Sequence, residues 1–170
     1  NQIRDFSGFF PAEPKSVEDF VDLVLEDIKQ IDVLGSWVQA EKFLERELSH
    51  STKVFLKDLE PFWTKKPWTV ALKGKKVLVV HPFANQIFEQ YKKHRSQLFK
   101  NPMILPDFEL ETIPAVQSLG GENHGFNNWF EALQYMKDEI DKHDYDICLI
   151  GCGAYGMSLA AHVKRMGKKA

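Results

Sequence analysis

Asp146-Ile147-Cys148-Leu149-Ile150-Gly151-Cys152-Gly153-Ala154-Tyr155-Gly156 decides the fold. Its first half is apolar without alternation after Asp146, as a strand covered on both faces must be, and its second half is a glycine-rich turn that opens a helix. Lys76-Val77-Leu78-Val79-Val80 has the same character and is bounded by Gly74 and Pro82. Between these strands a helix is predicted over 84–99, with Ile87, Phe88, Tyr91, Leu98 and Phe99 on one face and Asn101-Pro102 as its stop. A strand over 108–113 and a helix from Trp129 to about residue 142 follow, with Asn127 or Asn128 as the N-cap. A last helix over 157–166 ends at Gly167.

The first 75 residues are less regular. Residues 1–15 read as irregular, with Gly8-Phe9-Phe10-Pro11 and Pro14. Ser16 opens a helix to about residue 30, with Asp19 three positions on and Val17, Phe20, Val21, Val24 and Ile28 at helical spacing. A short strand is expected over 31–34. An amphipathic helix over 37–48 would turn Ala40, Phe43, Leu44 and Leu48 inward. A second short strand is expected over 53–56. Residues 58–72, with Trp63 and Trp68, read as broken helical turns.

Strands alternating with helices of this length predict a single α/β domain over 1–170, a Rossmann-like open, mostly parallel sheet with helices on both faces. The length fits one domain, and a chain that is 44% hydrophobic and 27% charged can close a core. The net charge of −2 supplies no global positive field for nucleic acid or an anionic membrane. Lys65-Lys66, Lys73 to Lys76 and Lys168-Lys169 read as solvated clusters at element ends. No apolar run is long enough to span a bilayer and no secretory signal is visible. Cys148 and Cys152 match neither a zinc nor a redox spacing, so reduced thiols and a cytoplasmic location are expected. The chain starts at Asn1 and stops just after a helix, and is expected to be a piece of a longer protein.

Ligands of such sheets bind at the carboxyl ends of the strands, which selects the loops after Leu34, Val80, Ile113 and Ile150. Gly151, Gly153 and Gly156 form Gly-x-Gly-x-x-Gly, where backbone amides and a helix N-terminus can meet a phosphate. Pure helix–sheet packing is the competing explanation. His81-Pro82-Phe83 places an imidazole at the crevice, as a phosphate donor or an acid–base group, and Asn85 opens the next helix. The polar loop after Ile113 offers Gln117, and its Glu122 and His124 are read as solvated rather than metal-binding. In Gly35-Ser36-Trp37 the indole can stack on a base or anchor a helix, and Tyr155 is a second stacking candidate.

Gly35-Ser36-Trp37, the 76–83 stretch, Gln90-Tyr91, the 129–133 stretch, the 146–156 stretch and Ala160-Ala161-His162-Val163-Lys164 together resemble proteins encoded with bacterial surface-polysaccharide genes. The set is similar to the family placed in the GT-D class of glycosyltransferases, and the likeness runs from about residue 31 to the end. It implies a nucleotide-sugar-binding domain taking a uridine-diphosphate sugar with a divalent metal, Mn or Mg, and a carbohydrate acceptor. The family's metal signature, an Asp-x-Glu in an N-terminal segment, is not assigned to residues of this chain, so catalytic and metal-binding residues stay open. A non-catalytic nucleotide-binding or scaffold module is the second expectation. An NAD(P)-dependent oxidoreductase, resting on the glycine pattern alone, is the third.

Overall fold

The structure, a computed structural model, describes residue 5 and residues 7–170. The elements are α1 (Pro14–Ile28), β1 (Val33–Ser36), β2 (Thr52–Phe55), α2 (Leu56–Leu59), β3 (Lys76–His81), α3 (Ala84–Leu98), β4 (Glu109–Pro114), α4 (Trp129–Asp141), β5 (Ile147–Ile150) and α5 (Gly156–Arg165). Single 3-10 turns interrupt the connections at Gln39–Leu44, Pro61–Trp63, Trp68–Leu72, Leu119–Gly121 and Gly153–Tyr155.

Among the described residues all strand pairing is parallel, and the fold is a Rossmann-like open α/β arrangement. The expected single sheet is two: β1 pairs with β2, and β4, β3 and β5 form a sheet with β3 in the centre. A gap of about 710 Å³ lies between Val33 and Leu34 on one side and Ile150 on the other. Lys169 sits against β5 there, where its carbonyl accepts from the Cys148 amide at 2.8 Å.

The alternation of β3 explains why both of its faces are apolar. Leu78 and Val80 pack with Ile113 and Cys148 beneath α4 and α5, while Val77 packs with Leu110, Tyr91 and Phe108 beneath α3. Tyr91 Oη ties this second layer together, accepting from the Phe108 amide at 2.7 Å and donating to its carbonyl at 2.9 Å. α1 closes the first layer by packing beside α5. Arg165 Nη2 lies 2.7 Å from the buried Asp27, and Lys164 Nζ reaches Asp32 at 2.6 Å.

Several local expectations are corrected. α1 starts at Pro14, with proline at the position where its missing N–H costs nothing, rather than at Ser16. The 37–48 region is a 3-10 turn followed by irregular turns, not an α-helix. Leu48 is buried and Leu44 half-buried, but Phe43 is 78% exposed and Ala40 is exposed, so the core covers only the end of the apolar stripe and packing does not support a helix. Leu98, expected inward, is exposed.

The largest correction concerns residues 1–15, of which 1–4 and 6 lie outside the described residues. Asp5 and Ser7 are helical, and Phe9 and Phe10 belong to the main core. The Phe9 ring lies 4.8 Å from Phe20 and 5.5 Å from Trp129, and the Phe10 carbonyl accepts from the Trp129 amide at 2.7 Å. A fully buried phenylalanine removed from such a site leaves a cavity. We therefore expect Phe9→Ala to lower unfolding stability by about 3–5 kcal/mol in urea titrations. A loss near zero would mean that the segment is not anchored in the core.

Candidate functional site

After β3 the chain crosses to β4 on one side, and β5 is added on the other. Strand order therefore reverses between β3 and β5. The loops leaving their carboxyl ends diverge and open a crevice, the place where such sheets take ligands. A cavity of about 240 Å³ occupies it, lined by His81, Phe83, Gln117, Ser118, Gly151 and Gly153 and closed by Ser7 and Gly8.

His81 is fixed by its own loop. Its Nδ1 accepts from the Phe83 amide at 3.0 Å, so in the neutral ring the proton sits on Nε2. That edge of the ring faces Gly151, where a Cβ would come 2.9 Å from His81 Cδ2 and 3.5 Å from Nε2. Glycine is required at 151 because the imidazole has taken the space. Gly153 is required for a different reason: its φ of +60° lies in the left-handed region. Gly156 needs neither explanation. It has helical φ and ψ of −56° and −47°, and a Cβ at this position would find its nearest neighbour 4.0 Å away. The three-glycine motif thus divides into two structural requirements and one position open to other residues.

A hydrogen-bond chain closes the other wall. Tyr155 Oη lies 2.6 Å from Ser118 Oγ, which donates to the Gly8 carbonyl at 2.6 Å. Because the Ser118 proton is committed to Gly8, the tyrosine is the donor to Ser118. The Tyr155 ring stacks on Trp129 at 4.9 Å and 9° and is buried, so it cannot stack on a ligand as expected. Burial pushes the Tyr155 hydroxyl up to about 12. Cys152 in the same wall is a buried free thiol, also pushed up to about 12 by burial, which makes it unreactive.

His81, Pro82, Phe83, Gln117, Gly151, Gly153 and Tyr155 line the same cavity. Asn85 does not. It opens α3 on another side and lines a groove with Glu89, Glu111 and His143. Gly156 lines the gap beside β1. Gly35, Ser36 and Trp37 lie at the end of β1 in the other sheet. There Gly35 packs under Leu56 and Leu59, and Glu41 accepts from Ser36 Oγ and from the Trp37 and Val38 amides. The β1 loop therefore forms a separate surface.

The residues that sequence reasoning missed are Ser7 and Gly8, while Ser118 belongs to the polar loop after Ile113 that the sequence already selected. Gly8-Phe9-Phe10 was the available signal, since two adjacent aromatics beside a glycine fit a buried strap better than a solvated tail.

Among the described residues no group of three or more His, Cys, Asp or Glu converges as a metal site. His124 Nε2 is bonded to the Gln117 carbonyl at 2.7 Å, with Glu122 at 3.4 Å. Asp-x-Glu does occur in the chain, at Asp58 to Glu60 and at Asp107 to Glu109, and neither lines the crevice. Glu60 accepts from Trp63 Nε1, and Asp107 is 3.4 Å from Arg95.

No helix is long and apolar enough to cross a membrane among the described residues. No protein-family model matches the chain, and no curated protein and no solved structure matches it either.

Two outcomes follow from the site's geometry. Gly156→Ala should be neutral or stabilise by up to about 1 kcal/mol, because the backbone already suits alanine. Gly151→Ala should destabilise by about 1–3 kcal/mol by forcing His81 out of its place. Equal effects on thermal unfolding would contradict the division of the motif.

The second outcome concerns alkaline pH. Tyr145, Tyr155, Cys148 and Cys152 are each raised to about 12, with burial as the main cause. The unfolded chain therefore releases these protons first, and stability falls as pH rises from about 9 towards 12. Denaturant midpoints that stay flat across that window would show that these groups are not buried in the folded state.

Proposed function

We propose that the crevice is a nucleotide-sugar site and that the domain serves glycosyl transfer in the synthesis of bacterial surface polysaccharide, on the cytoplasmic side. The observation that carries this reading is the convergence of an imidazole Nε2–H, a glycine turn and an exposed aromatic at the point where strand order reverses.

The amides of residues 152 to 155, beyond a Gly151 amide that already donates to the Val80 carbonyl at 3.0 Å, and the positive end of α5 take the diphosphate. His81 Nε2 donates to a phosphate oxygen. Phe83, 55% exposed at the mouth, replaces Trp37 and Tyr155 as the stacking surface for the base. The Gln117 side chain bonds ribose or donor sugar. As the sugar leaves, negative charge grows on the diphosphate, and fixed donors at the turn stabilise it. A divalent Mn or Mg ion would add to this stabilisation, with ligands that are unassigned.

The cavity is smaller than the 300 to 1,000 Å³ typical of ligand sites. The Ser7 carbonyl lies 3.5 Å from the Cβ position of Gly153, in the path of a diphosphate. Entry of a nucleotide therefore requires the strap at residues 7 and 8 to swing aside. That same contact favours a second reading, a binding or scaffold module without catalysis, in which the strap is a permanent plug. The nicotinamide reading rests on a glycine motif whose third member has no structural need to be glycine.

Thermal unfolding against uridine-diphosphate sugars, other nucleotides and NAD(P), with and without Mn²⁺, separates the three. We expect uridine-diphosphate compounds to stabilise the fold by roughly 2.7 kcal/mol at about 100 times their Kd. Phe83→Ala, a change at an exposed position, should weaken that binding by about 1–3 kcal/mol. A response to NAD(P) alone, or to no nucleotide, would refute the proposal. Binding without transfer to any acceptor would select the module.

A further inference from the structure

The surface left by the β1–β2 unit is unlike the rest of the molecule. Among the described residues the four most exposed aromatic side chains are Trp37 (75%), Phe43 (78%), Phe55 (78%) and Trp63 (65%), all within one short stretch of chain. The register brings two of them together. Ser36 pairs with Phe55, so Trp37 follows directly at the same end of the sheet, and both rings line an open groove of about 780 Å³ with Lys53 and Asp58. Trp63 follows eight residues after Phe55, with Lys57 Nζ over its ring at 4.7 Å. Exposed Val38 lines the groove with the rings, and exposed Leu56 directly follows Phe55.

The stretch of chain that carries Phe55 and Trp63 is also distinct in charge. From residue 52 to 75 the chain carries Lys53, Lys57, Lys65, Lys66, Lys73 and Lys75 against Asp58 and Glu60. That stretch is net +4 in a chain whose total is −2, so the remainder carries −6. All six lysines are exposed, and none is in an ion pair among the described residues. Each lysine taken singly is the solvated surface expected from the sequence. What the sequence concealed is that the aromatics between them are on the surface too.

We propose that this face docks on an anionic lipid surface. Exposed Trp and Phe rings settle at the level of lipid headgroups, aliphatic neighbours enter the acyl boundary, and unpaired lysines meet anionic headgroups. A second copy of the chain is a poorer occupant, because a two-fold contact would set this lysine-rich patch against itself. Single-stranded nucleic acid would use the rings and lysines but not the aliphatic side chains, which have no π-face for a base. Contact is from one side of the bilayer, since no helix among the described residues can cross it. The inference is independent of what the crevice binds.

The full chain is mixed with vesicles of phosphatidylcholine alone and of phosphatidylcholine with phosphatidylglycerol, and each is sedimented. Binding is expected only to the phosphatidylglycerol vesicles, decreasing as salt is raised. F55S/W63S and K65E/K66E should each lower the partition coefficient about tenfold or more, with circular dichroism and thermal unfolding unchanged because all four positions are exposed. Failure to sediment with either vesicle overturns the proposal, as does equal sedimentation with both. Vesicle binding unaffected by the substitutions also overturns it. So does a dimer dissolved by F55S/W63S, or oligonucleotide binding at this face without vesicle binding.

Discussion

A cluster of stacked and tilted rings holds together three stretches of chain that are far apart in sequence. Phe9 contacts Trp129, and Trp129 stacks on Tyr155. Trp129 opens α4, Tyr155 ends the glycine turn, and Phe9 belongs to the N-terminal strap. Large aromatic area removed from water at this junction sets where the strap lies, and the Ser118 hydroxyl, bonded to both Gly8 and Tyr155, fixes its register against the turn. The crevice takes its shape from this arrangement. One wall is the turn, the opposite wall is the His81 loop, and the strap is the lid between them.

That arrangement assigns different jobs to residues that look alike in sequence. Gly151 yields space to an imidazole, Gly153 adopts a left-handed backbone, and Gly156 begins a helix with room for a side chain. Tyr155 and Phe83 are both aromatics in candidate loops, yet one is buried in the core and the other stands at the mouth. On the proposed reading the chemistry rests on a few groups: His81 Nε2, the amides of residues 152 to 155, and Phe83.

The parts of the fold readable from sequence are those whose signal is local and dense. β3 and β5 are continuous apolar runs with glycine or proline at their ends, and α4 has an asparagine cap whose side chain accepts from the Glu131 amide at 2.9 Å. Parallel pairing and the position of the crevice followed from the alternation of such elements. The strap was illegible because its burial depends on Trp129 and Tyr155, more than a hundred residues away, while its own glycine and prolines imitate a loop. The 37–48 stretch failed in the opposite sense. It has a helical stripe, but a stripe becomes an α-helix in a protein only when a core is there to cover it. Asn85 was one helix turn from His81 in sequence, and the direction of α3 carried it to another groove.

On the proposed reading, the His81 loop, the glycine turn and the strap form one ligand site whose lid is residues 7 and 8. Nuclear magnetic resonance of the ¹⁵N-labelled protein during titration with uridine diphosphate tests it directly. The account predicts concerted shifts of the His81 ring Nε2, of the amides of residues 152 to 155 and of Ser7 and Gly8, with the Trp37 indole unchanged. Shifts confined to the Trp37 surface, or none at all, would contradict it.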